Sequence, residues 1–249
     1  MTEFALRFVV AVWFLPLFPF SGLFVYLIGR KVRATTLRTG LFVLWPLVGV
    51  TILGHATPLP EWLQVWVLAS ALLYAVRLLA TRDLRLWGAY LGASGYALLW
   101  LLGPTTATWP AALSLAIPLA LLSVLVGALD ERFGAAYAGL YGRLHQHQPQ
   151  LAGMLTLTVL AAIATPLFPG FFVLTGIAFH SGIAAAATVL LVWVLWTWAA
   201  VVMLQGFMFG KAQTPTAPPD LAQQTLYGLA GVLALLVLVG LALSPSLLQ

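Results

Sequence analysis

Few residues in this chain can carry proton chemistry. Among its 249 residues are six Asp or Glu, four His and eleven Lys or Arg. Moving a proton through a bilayer requires Asp, Glu, His or Lys facing a protein interior. None of these residues lies well inside an apolar run. Glu61, Asp83, Asp130 and Glu131 sit at loop edges, His55 and His180 near the ends of apolar stretches, and His145 and His147 in a polar loop. The two histidines of RLHQHQPQ are spaced i,i+2 with no third ligand close by, which favours a solvated loop over a metal centre. Arg38 is different, because a guanidinium keeps its proton in a protein and acts as a fixed charge, not as a relay. It has two readings. One is a counter-charge for an anion or for a partner's carboxylate. The other, favoured by the nearby Arg30, Lys31 and Arg33, is an arginine snorkelling to cytoplasmic headgroups.

The chain has no cysteine, which excludes disulfides, iron–sulfur ligation and thiol catalysis. There is no phosphate loop, dinucleotide fingerprint, HExxH or nucleophile elbow. No catalytic constellation, cofactor site or metal set is therefore expected, and the chain is not expected to be an enzyme.

The remaining unusual chemistry is in the backbone. FLPLFPFSG, residues 14–22, places Pro16 and Pro19 three residues apart inside an apolar run, and PLFP recurs at Pro166 to Pro169. Proline removes a helix donor and clashes with the preceding turn, at a cost of about 3 kcal/mol. Non-helical backbone at membrane depth is tolerated where it is buried in protein or lines a cavity. Each pair is therefore a broken helix beside a hydrated path, or a kink stabilised by its neighbours. Pro16, Pro19, Pro166, Pro169 and Arg38 are the candidate channel or partner-contact residues.

The elements that would hold these residues are plain. The chain is 62% hydrophobic and 7% charged, against about 45–50% and 25% in soluble domains. Apolar runs delimit eight spans, at roughly 4–29, 36–54, 62–80, 86–103, 110–129, 150–179, 185–209 and 225–244, each long enough to cross a bilayer. The expected fold is an all-α polytopic membrane bundle of about eight helices, some broken by proline, forming a single transmembrane domain over 1–249. The 130–150 connection has room for a brief surface helix, and Pro215, Pro218 and Pro219 exclude regular structure from the stretch after 210. The first span is too long for a cleaved signal peptide, and its basic cluster follows the apolar run.

Charge placement sets an orientation. Alternate loops carry Arg30, Lys31 and Arg33; Arg77, Arg82 and Arg85; Arg132 and Arg143; and Lys211. The opposite loops near His55, Thr105 and His180 carry no Lys or Arg, and only Arg7 breaks the pattern. Positive loops face the cytoplasm, so both termini are expected outside a bacterial cytoplasmic membrane. The formal charge of +5 reports topology and anionic lipid, not nucleic acid, because no aromatic-studded basic surface is present. Gly88, Gly92 and Gly95, interleaved with Ala89, Ala93 and Ser94, suggest a close-packing helix face. Trp62, Trp66, Trp109 and Trp198 suit interfacial belts, whereas Trp193 and Trp196 lie too deep for a belt and suit a partner helix or lipid.

Several motifs resemble one family in order and spacing. LPLFPFSG resembles the PLFPFH of the broken seventh helix in antiporter-like proton-channel subunits. These are the large membrane subunits of respiratory complex I, the Mrp-type sodium/proton antiporters and the membrane subunit of bacterial inorganic-carbon accumulators. LRTGLFVL resembles the LKTG stretch of the next helix. LLATRDLRLWGAYLGASGYALL resembles the segment around DLKR, AYSS and SHMGY. LVGALDERFG and LYGRLHQHQPQLAGMLTLTVLAAIATPLFPGFF follow the tenth helix into the eleventh, LQGFMFGK resembles the RVFFG ending of the twelfth helix, and LVGLALSPSLL resembles the last helix. The likeness covers nearly the whole chain but only the last eight or so helices of the family fold.

The resemblance also implies which groups should conduct. The family's lysine before PLFPF corresponds to Phe14, its SHMGY histidine to Gly95 or a neighbour, and its tenth-helix histidine and lysine to positions near Leu115 and Leu119. The twelfth-helix charge is absent between Ala184 and Phe209. Only the LKTG lysine keeps a charge, as Arg38. The favoured expectation is a non-catalytic, membrane-embedded subunit of a hetero-oligomeric ion- or proton-translocating complex, a shortened scaffold without its own complete proton path. The alternative is an active ion or bicarbonate translocator of the inorganic-carbon type, working with a larger partner. An unrelated transporter or membrane enzyme carrying convergent PLFP strings is the third reading.

Overall fold

A chain this rich in Leu, Val and Ala must satisfy its backbone internally, and in lipid only helices do so segment by segment. The computed structural model describes residues 2–54, 59–102, 108–140, 142–209 and 219–248. Its order is α1 (Thr2–Phe14), α2 (Ser21–Tyr26) continued by a π turn Leu27–Lys31, α3 (Thr35–Leu53), α4 (Glu61–Ala80), α5 (Leu84–Leu98) continued by a 3₁₀ turn Leu99–Leu102, α6 (Thr108–Phe133), α7 (Leu144–His147), α8 (Pro149–Ala162), α9 (Pro169–His180), α10 (Ile183–Met208) and α11 (Gln223–Leu248). No strand occurs among the described residues, where the only β-type pairing is an isolated bridge between Asp83 and Tyr137.

The eight expected spans are present. α3, α4, α6, α10 and α11 are each long and apolar enough to cross a membrane. α5 with its 3₁₀ turn, Leu84–Leu102, corresponds to the expected fourth span. The other two are the pairs α1/α2 and α8/α9, each interrupted at its PLFP string. Lone prolines do not have this effect: Pro46 and Pro118 lie inside continuous α3 and α6. One proline deletes a single ladder bond, but two at i,i+3 delete donors in adjacent turns and push each preceding residue out of the α region. The brief helix expected between residues 130 and 150 is α7. His55, Thr105, Lys211, Pro215 and Pro218 lie outside the described residues, and Pro219 stands in non-helical chain.

α6 is the central post, with 78% of its span buried inside the bundle. It packs on α3, α5, α8 and α9, while α4 lies against α5 and α10, and α11 against α9 and α8. α10 and α11 keep mostly exposed apolar faces, as suits lipid-facing helices. The N-terminal end of α5 is fixed twice. Asp83 caps it by accepting from Arg85 N at 2.9 Å, and the 134–140 loop is pinned beneath it through Leu84 N to Ala136 O at 2.9 Å and Ala138 N to Arg82 O at 2.8 Å. α6 runs on to Phe133, so Asp130 and Glu131 are helical residues and not loop-edge ones.

Candidate functional site

The broken helices leave backbone groups without ladder partners, and each such group costs several kcal/mol in a bilayer core. At the first break, tryptophans supply the donors. Trp45 Nε1 donates to Trp13 O at 3.0 Å, Trp100 Nε1 to Leu15 O at 3.0 Å and Trp66 Nε1 to Phe18 O at 2.6 Å. Phe18 N donates to Ser70 Oγ at 3.1 Å, and Ser21 and Tyr74 bond through their hydroxyls just beyond. Pro16 is buried and Pro19 exposed. At the second break Ala164 takes the left-handed conformation, φ 59°. Thr165 donates to Leu160 O through both N and Oγ1, at 3.2 and 3.1 Å, and Trp193 Nε1 donates to Ile163 O at 2.9 Å. Here Pro166 is exposed and Pro169 buried. Gly240 of α11 lies against Pro169 so closely that an added Cβ would meet Pro169 N at 3.0 Å.

The space between the two breaks is filled with carbon. Phe24, just past the first break, and Leu119 of α6 both close on Gly92, with an added Cβ meeting them at 3.2 and 3.4 Å. One turn on, Gly95 faces Leu115 and Trp196 in the same way, at 3.6 and 3.5 Å. Leu115 then meets Gly170, which packs on Ala164 in the second break. The glycine face read from the sequence thus does its packing on α6, on Phe24 and on Trp196. Gly95, Leu115 and Leu119, three of the positions where the resemblance implied protonatable groups, lie on this apolar line, while Phe14 packs against Trp45 and Gly49 of α3. Among the described residues, the buried polar side chains are Ser21, Arg38, Ser70, Ser94, Ser114, Ser123, Gln148 and Thr158, with no Asp, Glu, His or Lys.

Arg38 corrects the favoured sequence reading. It does not snorkel to headgroups but is buried, 1% exposed, between α3 and α6. Its Nε donates to Ser123 Oγ at 2.8 Å and its Nη2 to Ser123 O at 3.0 Å. The helix face decides this. Leu37 of the same turn points outward, 56% exposed, while Arg38 points at α6. Close by, Arg85 of α5 pairs with Asp130 of α6, and Asp130 Oδ1 also accepts from Ala136 N at 2.9 Å. The groups around Arg38 come from α3, α5 and α6 and include none of the four prolines.

The tryptophans are the second correction. Trp66 and Trp193 cap broken backbone, and Trp196 is buried with its Nε1 donating to Ser94 Oγ at 3.0 Å, so it faces neither lipid nor a partner. Ser94 Oγ in turn donates to Ala71 O at 2.7 Å, tying α5 to α4. Trp62 and Trp109, at the start of α4 and α6, are exposed as a belt would require, whereas exposed Trp198 lies near the middle of α10 and does not suit one. His145 Nδ1 lies 2.9 Å from Met208 O. No cluster of three or more His, Cys, Asp or Glu suited to a metal occurs among the described residues.

No protein-family model matches the sequence, and no curated protein matches it. Solved structures do. A chain of respiratory complex I from Thermus thermophilus, solved with bound NADH, superposes with a TM-score of 0.81 at 24% identity, covering 99% of this chain and 58% of that one. A chain of the Mrp complex from Dietzia sp. DQ12-45-1b gives 0.82 at 16% identity, over 98% and 57%. A chain of the membrane-bound sulfane sulfur reductase, an archaeal respiratory membrane complex, gives 0.72 at 19%, over 95% and 52%. The fold is therefore that of membrane subunits in these complexes, as the motifs implied, and the chain spans a little over half the length of the solved chains it matches.

Proposed function

We propose that this chain is a non-catalytic, membrane-embedded subunit of a multi-subunit ion- or proton-translocating complex, without a complete proton path of its own. One observation carries the reading. The line between the two broken helices is closed by indole donors and packed Phe, Leu and Gly, with no buried Asp, Glu, His or Lys among the described residues. In this reading the chain sits in a bacterial cytoplasmic membrane with both termini outside. Its exposed apolar faces meet lipid and a larger protein partner, and titratable groups come from that partner. The likeness to chains of three multi-subunit complexes supports the assembly part of this reading.

Isolation of a tagged chain from its native membrane in mild detergent tests it, with co-purifying chains identified by mass. A stoichiometric larger membrane partner is the expected result. A clean monomer or homo-oligomer would overturn the subunit reading.

A second reading is favoured by one residue. Buried Arg38 is a fixed charge in the bundle, as an active ion or bicarbonate translocator working with a partner of the inorganic-carbon type would use. In that case Arg38→Ala abolishes transport by the assembled complex. Unchanged transport removes this reading.

A further inference from the structure

Arg77 lies in the last turn of α4, a helix of 20 residues. That length is about 30 Å of helix, the thickness of a bilayer's hydrocarbon core, so Arg77 sits where acyl chains meet headgroups. An arginine at this depth ordinarily snorkels into water. This one is held over two rings, its Cζ 5.7 Å from the Tyr74 centroid and 5.9 Å from that of Tyr90. The two rings lie 5.8 Å apart, and Tyr74 is buried and anchored by the Ser21 hydroxyl. Cation–π contact fixes a guanidinium in place without using its N–H donors. Arg77 is exposed, and no carboxylate among the described residues pairs with it.

The π turn Leu27–Lys31 brings more charge to the same end of α5. Gly29 seats the turn there, where an added Cβ would meet Leu86 Cδ1 at 2.8 Å and Ala89 Cβ at 3.6 Å. Ala89 adjoins Tyr90, so exposed Arg30 and Lys31 leave from beside the ring that holds Arg77. The carboxylates of this end weaken the local field but serve other groups. Asp83 caps α5 through Arg85 N and Leu86 N, and Asp130 holds Arg85 and Ala136 N. Arg30, Lys31 and Arg77 stay in excess. Val76 and Leu79, on either side of Arg77 in α4, are exposed and apolar. A basic loop that only sets topology needs no ordered side chain, whereas Arg77 is ordered by two rings. We propose that Arg77, held by Tyr74 and Tyr90 and assisted by Arg30 and Lys31, binds the phosphodiester headgroup of an anionic phospholipid whose acyl chains lie along Val76 and Leu79. The apolar flank and the depth select a lipid over free phosphate, and the excess of cations selects an anionic headgroup over a zwitterionic one. The site stands whether or not the bundle conducts protons.

The test uses the full chain in detergent at fixed ionic strength, titrated with phosphatidylglycerol, phosphatidylcholine or inorganic phosphate. A ligand that binds only the folded state raises its unfolding midpoint along a saturation curve. Phosphatidylglycerol is expected to do so, and phosphatidylcholine and inorganic phosphate are not. Each basic side chain near a membrane surface contributes about 1 kcal/mol toward anionic lipid. Arg77→Gln is therefore expected to raise the half-saturating phosphatidylglycerol concentration by about fivefold or more. Arg77→Lys keeps the charge but not the stacked plane and is also expected to weaken binding, while Arg143→Gln, at an exposed loop position, leaves it intact. If the Arg77 variants do not fold, native mass spectrometry of the wild-type chain decides, with one phosphatidylglycerol retained in preference to phosphatidylcholine as the expected result. Equal midpoints in the two lipids, a rise with inorganic phosphate alone, equal losses in Arg77→Gln and Arg143→Gln, or unchanged binding in Arg77→Lys would each overturn the site, as would equal retention of the two lipids.

Discussion

At the scale of single residues, the indole N–H groups are the main devices that let the first helix break inside a membrane. Removing a hydrogen-bond donor from a buried carbonyl costs about 1–3 kcal/mol. Trp100→Phe keeps an aromatic ring beside Phe8 but leaves Leu15 O without its partner. The expected outcome is a lower unfolding midpoint in detergent, corresponding to about 1–3 kcal/mol. Trp198→Phe, at a position 67% exposed, should stay within about 0.5 kcal/mol of wild type. Neither the caps nor the burial of Arg38 was legible in the sequence. Trp45, Trp66 and Trp100 lie 32, 48 and 85 residues from the carbonyls they serve, and Ser123 lies 85 residues from Arg38. Local composition reports that a tryptophan or arginine is near an interface, but not which way its helix is turned. The scarcity of protonatable residues was legible, because it is a property of residue identity alone.

At the scale of elements, close approach is set by glycine. Where α3 crosses α6, a Cβ on Gly127 would overlap Thr35 Oγ1 and meet Thr35 Cγ2 at 2.9 Å, and Thr35 is too short and stiff to swing aside. Gly127→Ala must therefore part the two helices, at a cost of about 1–3 kcal/mol. The same movement disturbs the Arg38–Ser123 contact. Gly40→Ala on the same α3 meets nothing within 4 Å and should be neutral or slightly stabilising, by up to about 1 kcal/mol. Comparing the two unfolding midpoints checks both. The spans, the two breaks and the α5 packing face were all legible in the sequence. Hydrophobic run length, paired prolines and small-residue spacing act locally and need no knowledge of neighbours. The partners of that face, Phe24, Leu119 and Trp196, were not, since they come from three other elements.

At the scale of the whole molecule, the alternating basic loops are the basis for our proposal that one surface faces the cytoplasm. The chain has no cysteine, so single-cysteine variants report position cleanly. In right-side-out vesicles an impermeant maleimide should label Gly182→Cys directly and Arg143→Cys only after permeabilisation. Both are exposed loop residues at opposite ends of the bundle. The reverse pattern would invert the topology and put the Arg38 cluster at the outer surface.

The central claim is that the described bundle does not pass protons by itself. The measurement that bears on it most directly is proton flux into proteoliposomes holding the purified chain. Flux would be read by an internal pH dye under an imposed membrane potential, with folding verified by tryptophan fluorescence. The expected result is flux indistinguishable from protein-free vesicles. Sustained flux that scales with the amount of protein and falls with Arg38→Gln would contradict it, and would mean that the line from Phe24 through Leu119 and Leu115 to Ala164 opens to a proton-carrying path.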